Sequence, residues 1–237
     1  MAANSPPRMV TVPGGRITLS DRRRLRSWDV DLAPFDIAVT PTTQAEYAAV
    51  VGEWPGETRG GLLPVDSVTW GEAIRYCNLL SERTDVAPAY RIDGEEVLLD
   101  DSSTGYRLPT EAEWEHACRA ETIGARYGSL DAIAWYRDNS QEHSHEVGGK
   151  LPNGWGLHDT LGNVWEWCWD LLDPATYGTY RVLRGGGWFD EQWSCRASVR
   201  RGSHPTLRIE DVGFRVARGR AVAPPAGAAS RDEDTPY

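Results

Sequence analysis

Lysine is nearly absent from this sequence. Lys150 is the single one among 25 basic side chains, the rest being arginine, and the 237 residues include only two methionines and three phenylalanines. No apolar run approaches the ~20 residues that a membrane-spanning helix needs. The opening segment lacks the basic-then-apolar order of a secretory leader. The four cysteines, Cys77, Cys118, Cys168 and Cys195, contain no CxxC pair, so spacing alone offers no zinc site, and in a cytosol they would stay reduced. Acidic groups outnumber basic ones 35 to 25, a net charge of −10. That balance argues against nucleic acid or an anionic membrane as partner, since both require a basic face. The expectation is a soluble, cytoplasmic globular protein.

Eleven tryptophans and 24 glycines describe loops and turns pinned by rigid aromatics. The length suits one large domain, placed at residues 9–218. Residues 1–8 read as a flexible N-terminus, and 219–237, rich in Pro and Ala, as a disordered tail. Three segments open helices through a capping box, in which a hydroxyl and a carboxylate satisfy two orphan amides: Thr43 with Glu46, Thr69 with Glu72, and Thr110 with Glu113. The second helix sets Trp70, Ala73, Ile74, Cys77 and Leu80 on one stripe, the third turns Trp114, Ala117 and Cys118 inward, and Gly52 is a stop for the first. Strand signals lie at Met9–Val12, Arg16–Leu19, Phe35–Val39, Tyr180–Arg184 and Gly213–Ala217. Most of 119–212 shows neither period, and its seven tryptophans suggest irregular structure packed around aromatics.

In order, the chain carries MVTVPGG at 9–15, PVDSVTWGEAIRYCNLLSE at 64–82, YRLPTEAEWEHACRA at 106–120, LPNGWGLHDTLGNVWEWCWD at 151–170, RVLRGGGWF at 181–189, CRASVRR at 195–201 and VGFRVAR at 212–218. This series resembles the sulfatase-modifying-factor family, also called formylglycine-generating-enzyme-like, over nearly the whole chain. The resemblance implies an α+β class: the sulfatase-modifying-factor variant of the C-type-lectin-like fold, with few helices, small antiparallel sheets and much irregular ordered loop.

Asp159, Asn163 and Glu166 fall within one short stretch, and Gly162 permits a tight turn. Such an oxygen-rich loop suits calcium. The alternative is that its carboxylates merely cap backbone amides. By resemblance the calcium ligands would be Asp159, the carbonyls of Gly162 and Val164, and Glu166; a second calcium loop of the family matches 135–139 poorly.

Formylglycine generators carry two cysteines five residues apart after the RGG turn, holding copper(I) as a bis-thiolate. Here the two positions are Asp190 and Cys195. A carboxylate is a hard ligand and does not replace a thiolate for copper(I), so the oxidase pair is broken. Cys195 then reads either as a buried inert hydrophobe or as a nucleophile or single thiolate ligand activated by a neighbouring cation. A rebuilt catalytic site would pair Cys195 and Asp190 with His158, His116 or His204, a set suited to iron, or copper, in an oxygen-dependent oxidoreductase.

Arg107, Arg184, Arg196 and Arg215 are expected to stitch loops through backbone carbonyls. Arg200, Arg201, Arg208 and His204 follow the altered cysteine position and can grip a carboxylate or acidic peptide, or simply form a solvated charged face. Trp188, Phe189 and Trp193 supply aromatic anchors on the same loop. Three functions remain open. The first is a calcium-stabilised module binding a protein, peptide or small molecule at the 188–212 surface, with a partner subunit as its variant. The second is the rebuilt oxidoreductase. The third is the variable protein of a diversity-generating retroelement, against which Glu191, Gln192, Trp193 and Glu210 count, because adenine-directed mutagenesis of AAY codons does not yield those residues. The oligomeric state is not readable.

Overall fold

The computed structural model describes residues 6–54, 60–94 and 96–219. Most of the two expected loose ends therefore lies outside the described residues. At their inner edges the chain is tied down: the Arg8 carbonyl accepts from the Val39 amide at 2.9 Å, and the Gly219 carbonyl accepts from Arg107 Nε at 2.9 Å.

The chain opens with β1 (Met9–Val12), the hairpin β2 (Gly15–Asp21) and β3 (Arg26–Leu32), and β4 (Phe35–Ala38). In the hairpin Ile17, Leu19, Val30 and Leu32 are buried while Arg16, Asp29 and Asp31 face water, the alternation of a sheet with one wet face. Helices α1 (Gln44–Val51), α2 (Trp70–Arg83) and α3 (Glu111–Arg119) each begin with the expected capping box. Helix α1 stops at Gly52, whose φ of 90° suits only glycine without strain. The α2 stripe of Trp70, Ala73, Ile74, Cys77 and Leu80 is buried, as are Trp114, Ala117 and Cys118 of α3.

Between α2 and α3 lies a small hairpin, β5 (Tyr90–Asp93) with β6 (Glu96–Leu99). After the short helix α4 (Leu130–Ile133) come β7 (Trp165–Leu171), the short helix α5 (Pro174–Tyr177), β8 (Arg181–Arg184) and β9 (Arg200–Ser203). The chain ends with β10 (Val212–Gly213) and β11 (Ala217–Arg218). Four strands order as β10-β7-β8-β9, antiparallel except for the parallel pair β10–β7, and β1-β4-β11 form a second sheet.

The single strand expected over Gly213–Ala217 is thus two short ones, each joining a different sheet, with buried Phe214 and Val216 in the crossing between them. The stretch 119–212 is also more regular than its sequence suggests. In β7 the residues Trp165–Cys168 are all buried, so no alternation survives to mark a strand.

Aromatics and arginines share the interior. Trp114, Trp165, Trp167, Arg107, Arg184 and Arg215 are all essentially inaccessible. Each arginine is paired: Arg107 forks onto Glu113 at 2.7 Å twice, Arg184 reaches Glu115 and the Val199 carbonyl, and Arg215 forks onto Glu166. Buried charge is tolerable only with such pairing. These three residues, with Arg196 on the Trp193 carbonyl at 2.6 Å, fill the loop-stitching role expected of them.

Candidate functional site

The loop that follows β8 is shaped by its glycines. Gly185 and Gly186 take φ of 103° and 82°, and a Cβ on Gly186 would sit 2.9 Å from Cys195 Sγ. The backbone therefore turns tightly over the thiol, with Asp190 on the same loop. Asp190 Oδ2 accepts from the Trp165 indole at 2.5 Å and from the Gly187 amide at 3.0 Å. It closes the turn and orients a core tryptophan. Cys195 is wholly buried, and burial, reinforced by the charge of Asp190, pushes its thiol up to about 12. A thiol so placed is protonated at neutral pH and is a poor nucleophile.

Two carboxyl groups near this loop escaped the sequence reading. Burial pushes Asp211 up to about 6, helped by the charge of Asp190. Burial likewise pushes Asp66 up to about 6, against a hydrogen bond from Ser67 and with the charges of Glu210 and Asp211. The only sequence signal was two Asp inside otherwise apolar motifs.

Outside this buried layer stand the aromatics. Phe189 is 53% exposed and Trp193 58%, while Trp188 is half-buried, its indole 3.5 Å from the Glu210 carbonyl. Their loop is braced from behind. Arg137 covers the Phe189 ring at 4.7 Å and pairs with Glu191 at 2.6 Å. Its amide bonds the Asp190 carbonyl, and Arg126 bonds the carbonyls of Cys195 and Gln192. Exposed aromatic surface on a fixed backbone loses little entropy on binding.

The four polar candidates divide. Arg201 is exposed on β9, with its guanidinium over the Trp165 ring at 5.6 Å. Arg200 points the other way: its guanidinium holds Glu111 at 2.5 and 2.7 Å and Asp21 at 3.3 Å, so it serves the fold. Arg208 pairs with Glu72 and with the Ser67 carbonyl at 3.0 Å. His204 shares a hydrogen bond with Thr206 at 2.8 Å and packs edge-on against Tyr180.

At the GNVWEW loop, Asp159 is buried; its Oδ2 accepts from the Gly148 amide at 2.6 Å, while its Oδ1 has no hydrogen-bond partner. An orphaned buried carboxylate oxygen fits a hard cation. Gly162, at φ 76°, passes so close to Trp135 that a Cβ would lie 2.3 Å from its carbonyl. Glu166 is differently placed from a free ligand. Both of its oxygens accept from Arg215 at 2.7 Å, and one also accepts from the Trp114 indole at 2.7 Å. Asn163 is spent on the backbone of His145.

The three candidate imidazoles, His116, His158 and His204, are held by different partners. His158 shares a hydrogen bond with the Lys150 carbonyl at 2.8 Å and His116 one with the Pro13 carbonyl at 3.0 Å. Among the described residues no group of three His, Cys, Asp or Glu side chains is positioned to hold a metal ion. Of the iron or copper constellation, Cys195 and Asp190 share the loop after β8, whereas His158 sits in another segment, on the Lys150 carbonyl.

The sequence profile of the sulfatase-modifying factor enzyme 1-like domain matches residues 1–220. The chain belongs to that family. It is 30% identical to the protein named chaperone protein LppX of Paenibacillus barcinonensis, over 90% of this chain and 89% of the relative. It is 29% identical to the inactive C-alpha-formylglycine-generating enzyme 2 of Mus musculus over 75% of this chain and 56% of the relative. It is 36% identical to the formylglycine-generating enzyme of Streptomyces coelicolor over 48% of this chain, so it spans about half the length of those two relatives, 46% in the latter case. Among solved structures, Treponema denticola variable protein 1 superposes with a TM-score of 0.83 at 32% identity, covering 90% of this chain and 95% of that one. This superposition bears out the expected formylglycine-generating-enzyme-like fold. No helix among the described residues is long and apolar enough to cross a membrane.

Proposed function

We propose that this family member is a binding module for protein or peptide, presenting Trp188, Phe189 and Trp193 on a braced loop and Arg201 on strand β9, without formylglycine-generating oxidase activity. The reading is carried by Asp190. Where a second thiolate would stand, a carboxylate is spent on the Trp165 indole and the Gly187 amide, and the remaining Cys195 is buried with its proton held up to about 12. Copper(I) needs two soft ligands in line, whereas this pair serves to hold the loop beneath the exposed aromatics. Relatives called a chaperone, an inactive enzyme and a variable protein are consistent with a scaffold that keeps its surface and does without oxidation.

Calcium is the cation that Asp159 would take, with the carbonyls of Gly162 and Val164 as further oxygens and Glu166 shared with Arg215. Its role would be to stiffen the loop beneath the binding surface. Four unpaired, buried thiols suit the cytoplasm as the compartment.

A peptide display library selected on the wild-type protein and counter-selected on the Phe189→Ala/Trp193→Ala variant tests the reading. Peptides that bind the first and not the second support it. Peptides retained equally by both would place recognition elsewhere.

A further inference from the structure

The turn between β2 and β3 reads Asp21-Arg22-Arg23-Arg24-Leu25-Arg26, a concentrated positive charge in a chain whose net charge is −10. The turn is held firmly. Asp21 Oδ1 accepts from the amides of Arg23 and Arg24 at 3.0 and 3.3 Å. Arg24 crosses to Asp173 at 2.5 Å, at the start of α5, and Arg200 ties Asp21 to the β9 edge at 3.3 Å. Arg26 and Arg200 both lie over the Trp28 ring, at 5.2 and 5.1 Å.

What this frame presents has no use within the fold. Arg22 and Arg23 are exposed, and their side chains make no hydrogen bond or ion pair among the described residues. Leu25 is 93% exposed with φ at 50°. A leucine in the left-handed region is strained where glycine or asparagine would not be, and one that buries nothing gains no compensation from packing. Strain in a braced, solvent-facing turn points to function outside the chain.

We infer that the β2–β3 tip docks an acidic segment of another protein, whose carboxylates meet Arg22, Arg23 and Arg26 while an apolar side chain covers Leu25. Planar guanidinium groups pair well with carboxylates, and the central leucine asks for an apolar neighbour that a phosphate backbone lacks. The net charge of −10 also disfavours an extended polyanion more than a short acidic segment confined to the tip. This inference is independent of the 188–212 surface.

The test is titration of the full-length protein, at ionic strength of about 0.15 M, with a synthetic peptide of repeated Glu-Glu-Leu-Gly, a short DNA duplex and phosphatidylserine vesicles. The peptide is expected to bind, and Arg22→Glu/Arg23→Glu to weaken it at least about tenfold. Leu25→Asn should weaken it several-fold while raising the melting temperature, because the backbone strain is relieved. Equal affinity in the double variant would overturn the inference, as would tighter binding of DNA or vesicles than of peptide. Binding that appears only after deletion of residues 220–237 would assign the tip to the chain's own Asp232, Glu233 and Asp234, and would overturn the assignment to another protein.

Discussion

Asp190 accepts a hydrogen bond from the Trp165 indole at 2.5 Å, linking the loop where copper chemistry would reside to the strand at the centre of the core. The bond turns a lost ligand position into a structural tie. Asp190→Ala would leave the Trp165 indole and the Gly187 amide without their acceptor, a loss of about 1–3 kcal/mol. Urea unfolding followed by tryptophan fluorescence measures it. Asp190→Cys should lose a similar amount, since a thiol is a weak acceptor.

Cys195 is expected to resist chemistry. Its proton is held up to about 12 by burial and by the charge of Asp190, so the thiolate that reacts is scarce at neutral pH. Iodoacetamide at pH 7.5 should leave Cys195 unmodified in the native protein and modify it after denaturation, as read by peptide mass spectrometry. Rapid native labelling would contradict the buried, inert role.

The Glu166–Arg215 pair is fully buried and bidentate. Arg215→Met removes one partner and strands the other charge, which costs about 3–5 kcal/mol. Arg215 also holds the Ala38 carbonyl at 3.1 Å and the His158 carbonyl at 3.0 Å, so the β4 end and the GNVWEW loop should loosen together. Hydrogen exchange at both segments is the check.

Asp170 gives the fold a pH dependence of definite sign. Burial, then the charge of Glu111, raise its carboxyl to about 7, above the ~3.9 of an unfolded chain. The folded state therefore binds this proton more tightly than the unfolded one. Its contribution to stability is complete below pH ~4 and is lost as pH rises through about 7. Unfolding free energies of wild type and Asp170→Asn, measured from pH 5 to 8, should converge at the acid end and diverge in favour of the variant at the alkaline end.

Much of the fold was legible because local chemistry and tertiary context agree. The three Thr–Glu capping boxes are closed by contacts three residues apart, and the α2 stripe repeats at helical spacing, so both patterns survive in sequence. What was hidden depends on distant partners. Strand β7 has no alternation because both of its faces are buried. Arg200 looked like part of a ligand surface, yet it belongs to Glu111, 89 residues away along the chain. Glu166, expected as a calcium ligand, is also gripped by Arg215 from the crossing between β10 and β11, 49 residues away along the chain. The exposure of Phe189 and Trp193 agrees with their reading as residues at a loop tip. The carboxyls of Asp66 and Asp211 were not readable, since only burial makes them unusual.

The central claim is that the altered cysteine pair no longer supports copper chemistry. Anaerobic titration of the purified protein with copper(I), in competition with a chelator of known affinity, tests it most directly. The account predicts that Cys195→Ala leaves copper binding unchanged and that Asp190→Cys alone increases it. One equivalent of copper bound by the wild-type protein and lost on Cys195→Ala would contradict the account and restore an oxidase reading.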